Sequence, residues 1–132
     1  MGKYLDKAKE IRNIPDKHYS CTQTVLMSFS ELTGLDEKQC KALGTHFGAG
    51  MFMGTVCGSL TGGLMVLGLL GIRDKETREA LQQAFKDSNN GEFECAKLLA
   101  AAREKGMERK DNCDGQVYKV VAAIEKILEE RQ

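Results

Sequence analysis

The chain has 132 residues, with 19 basic and 19 acidic side chains and a formal net charge of zero. That length fits one helical domain, 1–132, able to bury about two-thirds of the surface its unfolded chain exposes without the help of disulfides. With 42% apolar and 29% charged residues it is neither disordered nor fibrous, and the balanced charge removes the basic footprint expected of a nucleic-acid binder. Five cysteines are left to explain. An odd count argues against a secreted disulfide framework. The charged start, Lys3-Tyr4-Leu5-Asp6-Lys7, has no apolar export region, and neither end carries a lipidation pattern. A cytoplasmic, reducing compartment is the expectation.

In chain order the periodicity is helical and no strand-type alternation is sustained. A first helix is expected from about Tyr4 to Asn13, stopped by Pro15. Ser20 can cap a second, with the stripe Val25, Leu26, Phe29 and Leu32 and its end at Gly34. Asp36 and Gln39 resemble a capping box opening a short third helix to about Leu43. After a Gly-rich loop comes an apolar helix, Val56 to Leu70, closed by Gly71. Asp74 caps a fifth helix carrying Leu81 and Phe85, ended by the turn Asn89-Asn90-Gly91. A sixth runs from about Phe93 to Lys105. The last begins at Asn112 and shows Val117, Val120, Val121, Ile124, Ile127 and Leu128 on one face. The expected fold is all-α, a compact bundle of about six to seven helices around the Gly-rich apolar central helix.

From Thr45 to Ile72 no residue carries a formal charge apart from His46, and Gly50, Gly54, Gly58 and Gly62 recur every four residues. Such a stretch is long enough to span a bilayer, and its small residues would let membrane helices approach closely. Its first part, Gly48 to Gly54, reads as a loop, however. About fifteen residues of apolar helix suit a buried core helix better, so no membrane span is expected. Each glycine in a helix interior costs roughly 1 kcal/mol relative to Ala. Gly54, Gly58 and Gly62 therefore point to close approach by another backbone or a cofactor near Cys57, and are candidate lining residues.

Against these helix starts, Cys21, Cys57, Cys95 and Cys113 each fall in an expected first turn. There, unpaired N–H groups and the helix dipole favour thiolate. Each also precedes an apolar stripe residue by three or four: Val25, Leu60, Leu98 and Val117. Four such thiols could converge on one point, and four soft donors suit zinc or an iron–sulfur cluster, while a pair suits thiol–disulfide exchange. Their separations of 36, 38 and 18 residues contain no Cys-x-x-Cys signature. The plain alternative is that they are small buried hydrophobes. Cys40 lies inside a helix and stands apart. His18, three residues before Cys21, is close enough to assist its thiolate or act as a ligand, although an exposed loop histidine is the simpler reading. Met51, Met53 and Met65 read as core or interface filler before copper ligands, a role that the nearness of Met51 and Met53 to Cys57 leaves open, and the run Glu108-Arg109-Lys110-Asp111 reads as solvated surface. No hydrolase triad, P-loop or dinucleotide fingerprint occurs.

At these residues the chain resembles the redox-active family named for the pattern C_GCAxxG_C_C. Its members have four characteristic cysteines, the second within a CGAxxG motif. Here these correspond to Cys21 in Tyr19-Ser20-Cys21-Thr22-Gln23, Cys57 in Cys57-Gly58-Ser59-Leu60-Thr61-Gly62, Cys95 in Glu94-Cys95-Ala96 and Cys113 in Asn112-Cys113-Asp114. Ser59 replaces the motif's Ala, a small-for-small change, and the loop from Gly48 to Gly54 is more apolar than the family's. Cys40 is not among the family's cysteines. The resemblance implies a helical protein with an electron-transfer or metal-centre role and an unidentified electron-transfer partner. Similarity to part of the split-Soret cytochromes points the same way, but with no Cys-x-x-Cys-His no covalent haem is expected.

Three functions follow as expectations. In the first, Cys21, Cys57, Cys95 and Cys113 form one metal centre, iron–sulfur foremost. In the second, two of them form a reversible disulfide without metal. In the third, the cysteines only pack, and the central apolar helix makes the chain an interaction module or homodimer.

Overall fold

The computed structural model describes residues 2–131. Eight α-helical segments account for most of it: α1 (Lys3–Arg12), α2 (Cys21–Ser28), the single turn α3 (Ser30–Thr33), α4 (Glu37–Gly44), α5 (Gly58–Leu69), α6 (Lys75–Asp87), α7 (Cys95–Glu104) and α8 (Arg109–Glu130). Among the described residues there is no strand, only one isolated antiparallel bridge between Val56 and Glu94. The fold is an all-α bundle.

Local chemistry sets most boundaries. Ser20 and Gln23 make a reciprocal capping box at the start of α2, and Asp36 and Gln39 make another at α4. Asp74 accepts from the Thr77 N–H at the start of α6. Gly2 has no side chain to cap α1, and that duty passes across the bundle. Buried Glu125 on α8 accepts the N–H groups of Gly2, Tyr4 and Leu5 at 3.1, 2.9 and 3.2 Å, placing a carboxylate on the positive end of α1.

Three boundaries differ from the sequence expectation. The second helix does not run unbroken to Leu32. Thr24 and Ser28 turn their hydroxyls back onto the carbonyls of Ser20 and Thr24, a pattern that bends helices, and the chain breaks at Phe29 before α3. The apolar helix starts at Gly58 rather than Val56, because Val56 is held in the bridge to Glu94. The last helix begins at Arg109, three residues before Asn112, with Asp111 in its first turn.

Helix α5 packs against α2, α6 and α8, while α8 touches α1, α2, α5, α6 and α7. The centre is therefore shared between the glycine-rich helix and the long C-terminal one. Gly63 of α5 admits Val120, Leu81 and Ile124, and a Cβ there would stand 2.7 Å from Val120 Cγ1. Gly62 admits α2, with a Cβ position 3.0 Å from the Thr22 carbonyl oxygen. No helix among the described residues is long and apolar enough to cross a membrane.

Because Gly62 faces backbone, Gly62→Val is expected to lower stability by about 1–3 kcal/mol, read as the midpoint of urea unfolding. Gly68, on the same helix but with nothing near its Cβ position, gives the opposite sign. Gly68→Ala is expected to gain up to about 1 kcal/mol from helix propensity.

Candidate functional site

Two short devices bring four of the cysteines to one place. The first is a close crossing of α2 and α5. The Thr22 hydroxyl donates to the carbonyls of Phe47 and Gly58, at 3.0 and 2.8 Å, and a Cβ on Gly58 would stand 2.8 Å from that hydroxyl. Cys21 and Cys57, the immediate neighbours of Thr22 and Gly58, are thereby held at the same crossing. The second device is the Val56–Glu94 bridge, in which the Cys57 N–H donates to Phe93 O and the Cys95 N–H to Thr55 O. It fixes the start of α7 beside the start of α5. Cys113 arrives on α8, one turn in from Arg109 rather than in the first turn.

Cys21, Cys57, Cys95 and Cys113 all line one cavity of about 410 Å³. Gly58 and His18 line it too, whereas Gly54 packs against Ala96 and Gly62 against α2, both outside it. Cys40 is fully buried in the hydrophobic core away from this cavity, where burial pushes its thiol up. All five cysteines are free thiols.

The four thiols are not equivalent. Cys21 and Cys113 are within hydrogen-bonding reach of each other, and the Cys21 thiol also lies 3.9 Å from the Cys113 carbonyl oxygen. That hydrogen bond lowers Cys113 to about 6 against the opposing effect of burial, helped by the charges of Arg12 and Arg109. The same contact, with burial and the neighbouring thiols, pushes Cys21 well above the ordinary thiol range. The pair thus gives up its first proton easily and its second with difficulty. Burial raises Cys57, partly offset by the Ser59 hydroxyl 3.1 Å from its sulfur. Burial also raises Cys95, with the charges of Cys57 and Cys113 adding to it.

Arg12 lines the same cavity, and its charge acts on both thiols of this pair. It is 5% exposed, donating from Nε to Asp114 Oδ1 at 2.6 Å and from its guanidinium to Tyr19 O at 2.8 Å. Lys110 donates to the other Asp114 oxygen at 2.6 Å. One carboxylate thus ties α1 to α8, while Arg12 anchors the segment that enters α2.

Over the cavity lies the loop expected from its glycines. Ala49, Gly50, Met51 and Phe52 are consecutively left-handed, with φ of 49°, 62°, 58° and 58°. Non-glycine residues adopt this conformation singly as a rule, at about 1–2 kcal/mol each. Thr55 holds the turn, donating N–H and hydroxyl to Gly50 O at 3.1 and 2.7 Å. Ala49 and Phe52 line the cavity, and Met51, Phe52 and Met53 are exposed.

No sequence pattern marks Arg12, Arg109, Lys110 or Ser59 as a site residue. Arg109 and Lys110 lie on the cavity wall rather than serving only as solvated surface. Their signal, a charged run four residues before a cysteine, is indistinguishable from a helix surface until α8 is known to start at Arg109. Ser59 is a small-for-small change from the motif's Ala by size, but its hydroxyl lies 3.1 Å from the Cys57 sulfur.

The donor set is soft enough for a thiolate-bound metal. Among the described residues, however, no group of three or more His, Cys, Asp or Glu side chains is arranged to hold a single metal ion. A closed zinc-type site does not fit this arrangement.

A small all-α protein with a cavity walled by four thiols and a cationic edge is the class that fold and geometry define. The chain belongs to the C_GCAxxG_C_C family, whose model, described as "Putative redox-active protein (C_GCAxxG_C_C)", matches residues 19–127. No curated protein and no solved structure matches it.

The thiolate is the nucleophile, so Cys113 reactivity follows its own deprotonation. Alkylation of Cys113 by iodoacetamide, followed by peptide mass spectrometry, is expected to rise through pH about 6 and level off above. Arg109→Gln removes a positive charge that favours the thiolate and is expected to move the midpoint upward. A wild-type midpoint near that of an ordinary thiol would contradict this assignment.

Proposed function

We propose that this chain is a thiol-based redox protein in which Cys113 and Cys21 form the reactive pair. The observation that carries the reading is their contact at the cavity wall, with Cys113 lowered to about 6 and Cys21 raised. Exchange chemistry calls for one thiol that is already thiolate near neutral pH and a second close by to resolve the mixed disulfide. Membership in a family described as redox-active supports the same class of chemistry. Cys57 and Cys95 line the same cavity, and burial raises both, which disfavours them as the attacking thiolate.

A second reading keeps a metal centre, iron–sulfur foremost, with Cys21, Cys57, Cys95 and Cys113 as its holders. What favours it is that four thiols, two more than exchange requires, line one cavity. Such a cluster would supply one-electron transfer when bound.

Anaerobic purification followed by iron analysis, visible absorption and thiol counting separates the two. The exchange reading expects no iron and a reversible, oxidant-dependent loss of two thiols. That loss should vanish in Cys21→Ser and Cys113→Ser and persist in Cys40→Ser. Stoichiometric iron with visible absorption, lost in Cys57→Ser, would overturn exchange in favour of the cluster. Five unreactive thiols without metal would leave the cysteines a packing role.

A further inference from the structure

The cavity has a charge pattern that exchange between two protein thiols does not need. Its lining includes Arg12, Arg109, Lys110 and His18, and no Asp or Glu among the described residues, in a chain whose formal net charge is zero. Arg12 and Lys110 both engage Asp114, which is outside the lining. Arg109 makes no ion pair with a carboxylate among the described residues and is exposed at the start of α8, one turn before Cys113. The apolar part of the wall is made by Ala49, Phe52 and Leu98. A volume of about 410 Å³ lies in the range of small-molecule sites and is too small for a folded partner.

We infer that the cavity binds a low-molecular-weight disulfide bearing carboxylate groups, with Arg109 and Lys110 holding a carboxylate and the apolar wall holding the chain that carries the sulfur. The inference rests on the exchange reading above and adds its substrate class. The Cys113 thiolate attacks one sulfur of the small disulfide, forming a mixed disulfide and expelling the first small thiolate. Cys21 then attacks the Cys113 sulfur and its thiol proton passes to solvent or to the leaving group, releasing the second small thiol. The small disulfide gains two electrons and is reduced to two thiols. Cys21 and Cys113 lose two electrons and become a disulfide.

Two chromogenic disulfides of opposite character test it: dithiobis-nitrobenzoate, which carries carboxylates, and neutral dithiodipyridine. The readout is the fast phase that disappears in Cys113→Ser, and the quantity compared is the ratio of its second-order rate constants for the two reagents. Loss of thiolate character at Cys113 slows both reagents alike, so the ratio isolates recognition of the carboxylate. In Arg109→Gln/Lys110→Gln the ratio is expected to fall about tenfold at low ionic strength, and rising salt should lower it in the wild type. Arg109→Lys should keep most of it. An unchanged ratio in the double variant overturns this inference while leaving exchange intact. A wild-type protein with no fast phase for either reagent overturns exchange itself, and the substrate assignment with it.

Discussion

The site depends on how closely α2 can approach α5. Thr22 reaches across to the carbonyl of Gly58, and only a residue without a Cβ leaves room for that hydroxyl. Farther along the same face, Gly62 lets the backbone of α2 in. The glycines forgo helix propensity of roughly 1 kcal/mol apiece, and what they gain is a crossing tight enough to fix the residues beside it. Cys21 and Cys57 flank that contact. The bridge between Val56 and Glu94 then carries the same register to Cys95. A bulkier residue at Gly58 would press on the Thr22 hydroxyl and the Phe47 carbonyl as well as on the helix pair.

Electrostatics separate thiols that the crossing brings together. A net charge of zero hides a local imbalance, because acidic side chains are absent from the cavity lining while three Lys or Arg residues remain. Arg12 can be buried because Asp114 and the Tyr19 carbonyl satisfy its guanidinium. Its field then reaches both Cys21 and Cys113, acting in each case toward the thiolate. The contact between the two sulfurs decides which one takes the charge: the donor, Cys21, is raised and the acceptor, Cys113, is lowered. For Cys57 and Cys95 burial is the first cause and raises both, the Arg109 charge opposing it only in part at Cys95.

Much of the fold was legible because helix starts are written in short-range chemistry. Ser20 with Gln23, Asp36 with Gln39 and Asp74 all cap where their side chains indicate. Boundaries that depend on distant partners were not legible. Val56 has the apolar character of a helix residue, yet it is paired with Glu94, thirty-eight positions away. Phe29 continues the apolar stripe of the second helix but sits at its break, stacked on Tyr4 with ring centroids 4.9 Å apart. Glu125 looks like one more surface acid on an amphipathic helix, and only packing reveals it as the cap of α1.

Residue order alone is enough for the helical class, most helix starts, the division of five cysteines into four plus Cys40, and the resemblance that groups those four. These follow from local periodicity, capping chemistry and residue order. Packing alone sets which cysteines meet and which thiol is lowered: the hydrogen bond from Cys21 lowers Cys113 first, with the charges of Arg12 and Arg109 adding to it. Sequence spacing carries no distance between helices. A thiol's proton affinity is set by charges and burial that exist only once α1, α2 and α8 have met.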